Sequence, residues 1–137
     1  MKALEIDDPK TWEVLIVEDI KDSREVLTQI LEFHGVQVHA AENGAVGLKM
    51  LETLRPHIIL MDLSMPEIDG WEMTTLLRER PETQNIPVIA LTAHALHEDR
   101  EHALASGFDG YLVKPIRIST IIMDIRKILT RLSRDLT

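Results

Sequence analysis

The chain has 137 residues, 45% of them hydrophobic and 28% charged, with a net charge of −8 and no cysteine. Those values fit one soluble globular domain with a full core. The acidic surface argues against direct binding to nucleic acid or anionic lipid, which needs a cationic face. The lack of cysteine excludes disulfides and thiolate metal sites and fits the cytoplasm.

Residues 1–12 are polar, contain Pro9, and read as an N-terminal leader on which Leu4, Ile6 and Trp12 are available to pack loosely on the domain. Glu5, Asp7 and Asp8 interrupt this segment before any apolar core develops, so it does not read as a signal peptide. No later apolar run approaches the ~20 residues of a membrane span, and no membrane insertion is expected.

Val14–Val17 is the first predicted strand, apolar throughout and ending in Glu18-Asp19. A helix is expected from about Asp22 to His34, with Val26, Leu27, Ile30 and Leu31 at helical spacing and Gly35 as its stop. Val36–Ala40 alternates apolar and polar residues, the pattern of a half-exposed edge strand. Asn43 caps a second helix reaching about Leu54, with Val46, Met50, Leu51 and Leu54 inward and Pro56 closing it.

Ile58–Met61 is a short apolar run that ends in Asp62, before a loop holding Pro66 and Gly70. It reads as a strand buried on both faces. A third helix follows from about Gly70 to Arg80. Pro87 opens a fourth strand, Val88–Leu91, which ends in Thr92-Ala93. A fourth helix is expected over about Leu96 to Ala105, stopping at Gly107. Tyr111–Val113 is the fifth strand and ends in Lys114-Pro115. In the last helix Ile118, Ile121, Ile122, Ile125, Ile128, Leu129 and Leu132 keep helical spacing for about four turns, and Arg126, Lys127 and Arg131 take other faces.

Five strands thus alternate with five helices, which predicts a parallel α/β sheet. The uniformly apolar strands one, three and four belong at its centre. Right-handed crossovers then permit the order 2-1-3-4-5, the flavodoxin-like (βα)5 doubly wound sandwich. In that order the carboxyl ends of four neighbouring strands carry Glu18-Asp19, Asp62, Thr92 and Lys114. Three carboxylates in one crevice repel one another, and a hard cation such as Mg²⁺, which prefers oxygen ligands, relieves that repulsion. An ionised Asp62 then suits nucleophilic attack on phosphorus, and the Thr92 hydroxyl and Lys114 ammonium suit phosphoryl oxygens.

The segments Val14–Asp19, Met61–Pro66 with Asp69-Gly70, Ala90–Ala93 and Gly110–Pro115 together resemble the receiver domain of two-component response regulators, of the stand-alone kind. The resemblance covers about residues 13–132, leaving 133–137 as a short tail. It implies that Asp62 accepts a phosphoryl group from the phosphohistidine of a sensor histidine kinase or phosphotransfer protein. It further implies that Glu18, Asp19, Asp62 and the backbone carbonyl of Ser64 hold Mg²⁺, with Asp19 more direct than Glu18. Thr92 and Tyr111 would be the switch residues, Lys114 would pair with the phosphate, and Lys114-Pro115 would be cis. The downstream protein target would meet the face formed by the fourth helix, fifth strand and fifth helix. Two positions depart from the commonest pattern: Ser64, often Asn in relatives, and His94, where side chains vary. Both flank the path of an attacking water and bear on the lifetime of the phosphorylated state.

Other functions fit less well. An aspartyl phosphatase needs a second acid two residues after Asp62, where Ser64 stands. A nucleotide site needs a glycine-rich loop after the first strand, and none follows it. His94, His97 and His102 read as solvated helix residues rather than metal ligands. The remaining alternative is a receiver-like interaction module that is not phosphorylated, or a domain cut from a hybrid kinase. Met1 and a short charged tail argue against excision, and almost no chain remains for an output domain. The expected activity is therefore that of a phosphoacceptor, which catalyses only its own phosphorylation and dephosphorylation.

Overall fold

The computed structural model describes residues 3–93 and 107–135. The expected fourth helix, with His94, His97 and His102, lies outside the described residues. Strands β1 (Glu13–Val17), β2 (Gln37–Ala41), β3 (Ile58–Asp62), β4 (Val88–Thr92) and β5 (Gly110–Val113) are joined by helices α1 (Lys21–Phe33), α2 (Gly44–Met50) and α3 (Gly70–Glu79). A C-terminal helix covers Ile121–Asp135. The strands form one parallel sheet in the order β2-β1-β3-β4-β5, as the apolar pattern predicts.

The two-residue period of the strands divides the core into two layers. Val14 and Ile16 of β1, Ile58 and Leu60 of β3, and Ile89 and Leu91 of β4 pack against Leu27 and Leu31 of α1 and Ile121, Ile125 and Leu129 of the C-terminal helix. Their alternates Leu15, Val17, Ile59, Met61, Val88 and Ala90 face Met73 and Leu77 of α3. β3 and β4 are buried along their whole length, whereas β2 keeps exposed positions, as an edge strand does.

Two apolar positions and one helix end differ from the helical pattern. Val26 is half exposed although its spacing matches the inward stripe of α1. Ile118 is 66% exposed because it precedes the helix, in the turn where Thr120 N–H donates to Arg117 O. The second helix is shorter than expected: Asn43 Oδ1 accepts from Val46 N as its cap, but the regular helix ends at Met50 and turns follow.

The segment before β1 is tied down tightly. Trp12 is 1% exposed and belongs to the core layer of α1 and the C-terminal helix, with Leu4 and Ile6 packed beside it. Its indole N–H donates to Glu5 O, and Asp8 caps the short 3-10 turn Pro9–Thr11. No helix among the described residues is long and apolar enough to cross a membrane.

Candidate functional site

Parallel pairing places the site residues. Val17 lies opposite Met61, so Glu18 follows β1 where Asp62 ends β3. Asp62 is in register with Leu91, and Thr92, one step on, with Val113. The backbone N–H of Lys114 donates to Thr92 O at 2.7 Å, so the ends of β4 and β5 stay joined. The Lys114-Pro115 peptide is cis.

Three of the predicted residues converge: Glu18, Asp19 and Asp62 offer ligand oxygens that lie within 4.8 Å of one another, the one such group among the described residues. Lys114 Nζ donates to both Glu18 Oε1, at 2.7 Å, and Asp62 Oδ2, at 2.9 Å. Ser64 N–H donates to Asp62 Oδ1 at 3.1 Å. Glu18, Asp62 and Thr92 are buried and Asp19 is half-buried. Tyr111 lies lower on β5, in register with Ala90, and its ring packs against the core layer on the α3 side.

Burial sets the charge state. Loss of solvent and the facing Asp62 push the Glu18 carboxyl up to about 7, against the pull of Lys114. Burial also works to raise Asp62, but Glu18, Lys114 and the Ser64 N–H outweigh it and hold Asp62 below its ordinary value. Lys114 is held above its ordinary value: desolvation works to lower it, and its bonds to Glu18 and Asp62 prevail.

The donor set fits a hard divalent cation. Among the described residues, Glu18 Oε2 and Asp19 Oδ1 are two of three buried side-chain polar atoms without a hydrogen-bond partner. Buried carboxylate oxygens left in this state are costly unless something positive meets them, and an all-oxygen set suits Mg²⁺.

Two contacts near the site were not read from the sequence. Gly70 begins α3 directly over the end of β3, and a Cβ there would lie 2.5 Å from Asp62 O. Arg24, on α1, donates from Nη1 to the backbone carbonyl of Glu18 at 2.9 Å. The available signal was a cation one turn into the helix that follows an acidic strand end.

Residues 14–126 match the response regulator receiver domain. The polar-differentiation response regulator DivK of Brucella anthropi is 35% identical over 116 residues, which cover 85% of this chain and 94% of DivK. The chemotaxis protein CheY4 of Vibrio cholerae superposes with a TM-score of 0.80 at 26% identity, over 85% of this chain and 98% of that one. The receiver domain of a sensor histidine kinase of Pseudomonas aeruginosa, solved with a magnesium ion coordinated in its active site cleft, superposes with a TM-score of 0.75 at 34% identity, over 88% of this chain and 95% of that one. A sheet of this order, with three acids, a threonine and a lysine at its carboxyl ends and a family match along most of its length, makes the chain a member of the response regulator receiver family, the phosphoacceptor domains of two-component signalling.

Proposed function

We propose that Asp62 is the phosphoacceptor and that its donor is the phosphohistidine of a sensor histidine kinase or phosphotransfer protein in the cytoplasm. The observation that carries this reading is Lys114 Nζ, within 2.9 Å of carboxylate oxygens of both Glu18 and Asp62. An ammonium so placed keeps Asp62 ionised and stands ready for phosphoryl oxygens. An Asp62 carboxylate oxygen attacks phosphorus, the phosphorus–nitrogen bond breaks, and its electron pair returns to the imidazole ring. The product is an acyl phosphate, which water later hydrolyses to restore the carboxylate and release inorganic phosphate. The domain thus acts only on its own phosphorylation state.

Glu18, Asp19, Asp62 and the backbone carbonyl of Ser64 are the proposed Mg²⁺ ligands. When bound there, Mg²⁺ supplies positive charge against the phosphoryl oxygens. The two unpartnered oxygens of Glu18 and Asp19 support that assignment. Thr92, buried at the end of β4, is the proposed hydroxyl donor to the phosphoryl group, and Thr92 with Tyr111 the proposed switch. The proposed output is a protein-binding surface on β5, the C-terminal helix and the helix expected between β4 and β5, biased by the phosphoryl group. The working unit is residues 13–132, flanked by the leader and a short tail.

The test is intact mass after incubation with a small-molecule phosphodonor, with and without Mg²⁺. One Mg²⁺-dependent phosphoryl adduct is expected in the wild type and none in a folded Asp62→Asn variant. Label retained in that variant, or no adduct on the Mg²⁺-replete wild type, overturns the assignment.

A further inference from the structure

The turn from β1 into α1 carries the buried Glu18 and the half-buried Asp19, then opens outward. Ile20, the next residue, is 54% exposed. It is also the N-cap of α1 and makes no side-chain capping bond. Two hydrogen bonds hold the Glu18 backbone. Glu18 N–H donates to Ala41 O of β2 at 3.1 Å, and Glu18 O accepts from Arg24 Nη1 at 2.9 Å. With Oε1 bound by Lys114, every polar group of Glu18 except Oε2 is engaged.

The main chain of Arg24 is held on both sides. Its N–H donates to Ile20 O, closing the first turn of α1, and its carbonyl accepts from Thr28 Oγ1 at 2.7 Å. The guanidinium therefore joins the first turn of α1 to the acidic turn that precedes it. It grips the main chain there, and the carboxylate oxygens of Glu18 Oε2 and Asp19 Oδ1 stay without partners.

We propose that Arg24 is a positioning residue for the divalent cation: by holding the Glu18 carbonyl it keeps the Glu18 and Asp19 carboxylates turned toward Asp62. This rests on the reading of that cluster as a Mg²⁺ site. The sign of the effect separates it from simpler roles. A guanidinium acting only through its charge repels Mg²⁺, so its removal would tighten binding. A guanidinium that only stabilises α1 would leave affinity unchanged while lowering the melting temperature.

The experiment is calorimetric titration of the intact chain with MgCl₂, at a temperature where circular dichroism shows each variant folded. Arg24→Met, which keeps the stem but loses the donors, is expected to bind Mg²⁺ about 10-fold more weakly, the usual cost of removing a group that orients a ligand. Arg24→Lys, which again offers a donor to the carbonyl, is expected to recover most of that loss. Leu27→Ala, which opens a cavity on the buried face of α1, is expected to lower the melting temperature and keep the wild-type affinity. Unchanged or tighter binding in Arg24→Met overturns the proposal. If that variant does not fold, Arg24→Gln decides by the same comparison: weaker binding supports the proposal and wild-type binding overturns it. A wild type that takes up no Mg²⁺ would reject the cation site itself, a result distinguishable from failure of the Arg24 role alone.

Discussion

Lys114 Nζ lies 2.7 Å from Glu18 Oε1, an ion pair between residues 96 apart in sequence at opposite sides of the strand-end crevice. With Asp62 Oδ2 at 2.9 Å, the same ammonium serves two buried carboxylates. Removing it leaves both facing each other uncompensated. Lys114→Ala is expected to cost about 2 kcal/mol of metal-free stability, the scale of a charge-assisted hydrogen bond. Urea unfolding with and without Mg²⁺ checks this. The cation should restore more stability to the variant than to the wild type, because it relieves the same repulsion.

Stability should depend on pH in a defined direction. Glu18 moves from 4.5 to about 7 on folding, so the folded chain keeps a proton that the unfolded chain has lost. Metal-free stability from this group therefore falls as pH rises from about 4.5 to about 7. Asp62, lowered from 3.8, has the opposite effect on the acid side, where its contribution is lost as pH falls. Melting temperatures measured in chelator across this range should decline, and Glu18→Gln should flatten the decline. Added Mg²⁺ should stabilise more at the alkaline end, since its ligands must be deprotonated.

Gly70→Ala should damage the site from behind. The added Cβ would lie 2.5 Å from Asp62 O and 2.9 Å from Leu63 Cα, both backbone atoms that no side-chain rotation can clear. The expected cost is about 1–3 kcal/mol from overpacking. A weaker Mg²⁺ titration and slower adduct formation should accompany it, because Asp62 moves. Full stability and wild-type affinity would show that the start of α3 is free to shift.

Trp12→Ala should separate stability from chemistry. The indole is 1% exposed in the layer shared with α1 and the C-terminal helix, and its truncation is expected to cost about 3–5 kcal/mol. Mg²⁺ affinity below the melting temperature should not change, since Trp12 precedes β1, at the end of the sheet away from the carboxylates. Urea unfolding followed at Trp71, with calorimetric titration, measures both.

Asp19→Ala should weaken Mg²⁺ binding sharply, because it removes one of the two oxygens that, among the described residues, are buried without a partner. Calorimetric titration gives the comparison, and an unchanged affinity would count against Asp19 as a ligand.

The strand order and the meeting of Glu18, Asp19, Asp62 and Lys114 were legible because strand burial and strand-end chemistry are local features, which parallel pairing then brings together. Other features depend on neighbours that a linear pattern does not name. Val26 and Ile118 have the right spacing for burial, but Val26 is half exposed among the described residues and the chain at Ile118 is not yet regular helix. Trp12 reads as a loose anchor because the leader is polar, whereas a hydrogen bond from its indole to Glu5 O lets it enter the core. The Arg24 grip on Glu18 uses a backbone carbonyl, a partner that leaves no mark in residue identity.

Far from the carboxylates, one side chain holds the other end of the sheet. Arg78 of α3 donates to Gly107 O, Gln84 O, Ile86 O and Asp109 Oδ2, and that same carboxylate oxygen accepts the N–H of Val88. These bonds gather the first residues of β4 and the approach to β5, at the end of the sheet opposite Thr92 and Lys114. The two strands are thus clamped at the base and carry Thr92 and Lys114 at the tip, like a cantilever. In the proposed switch, displacement begun at that tip would have its fulcrum at Arg78, so loosening that clasp should blur the two proposed states without touching Asp62.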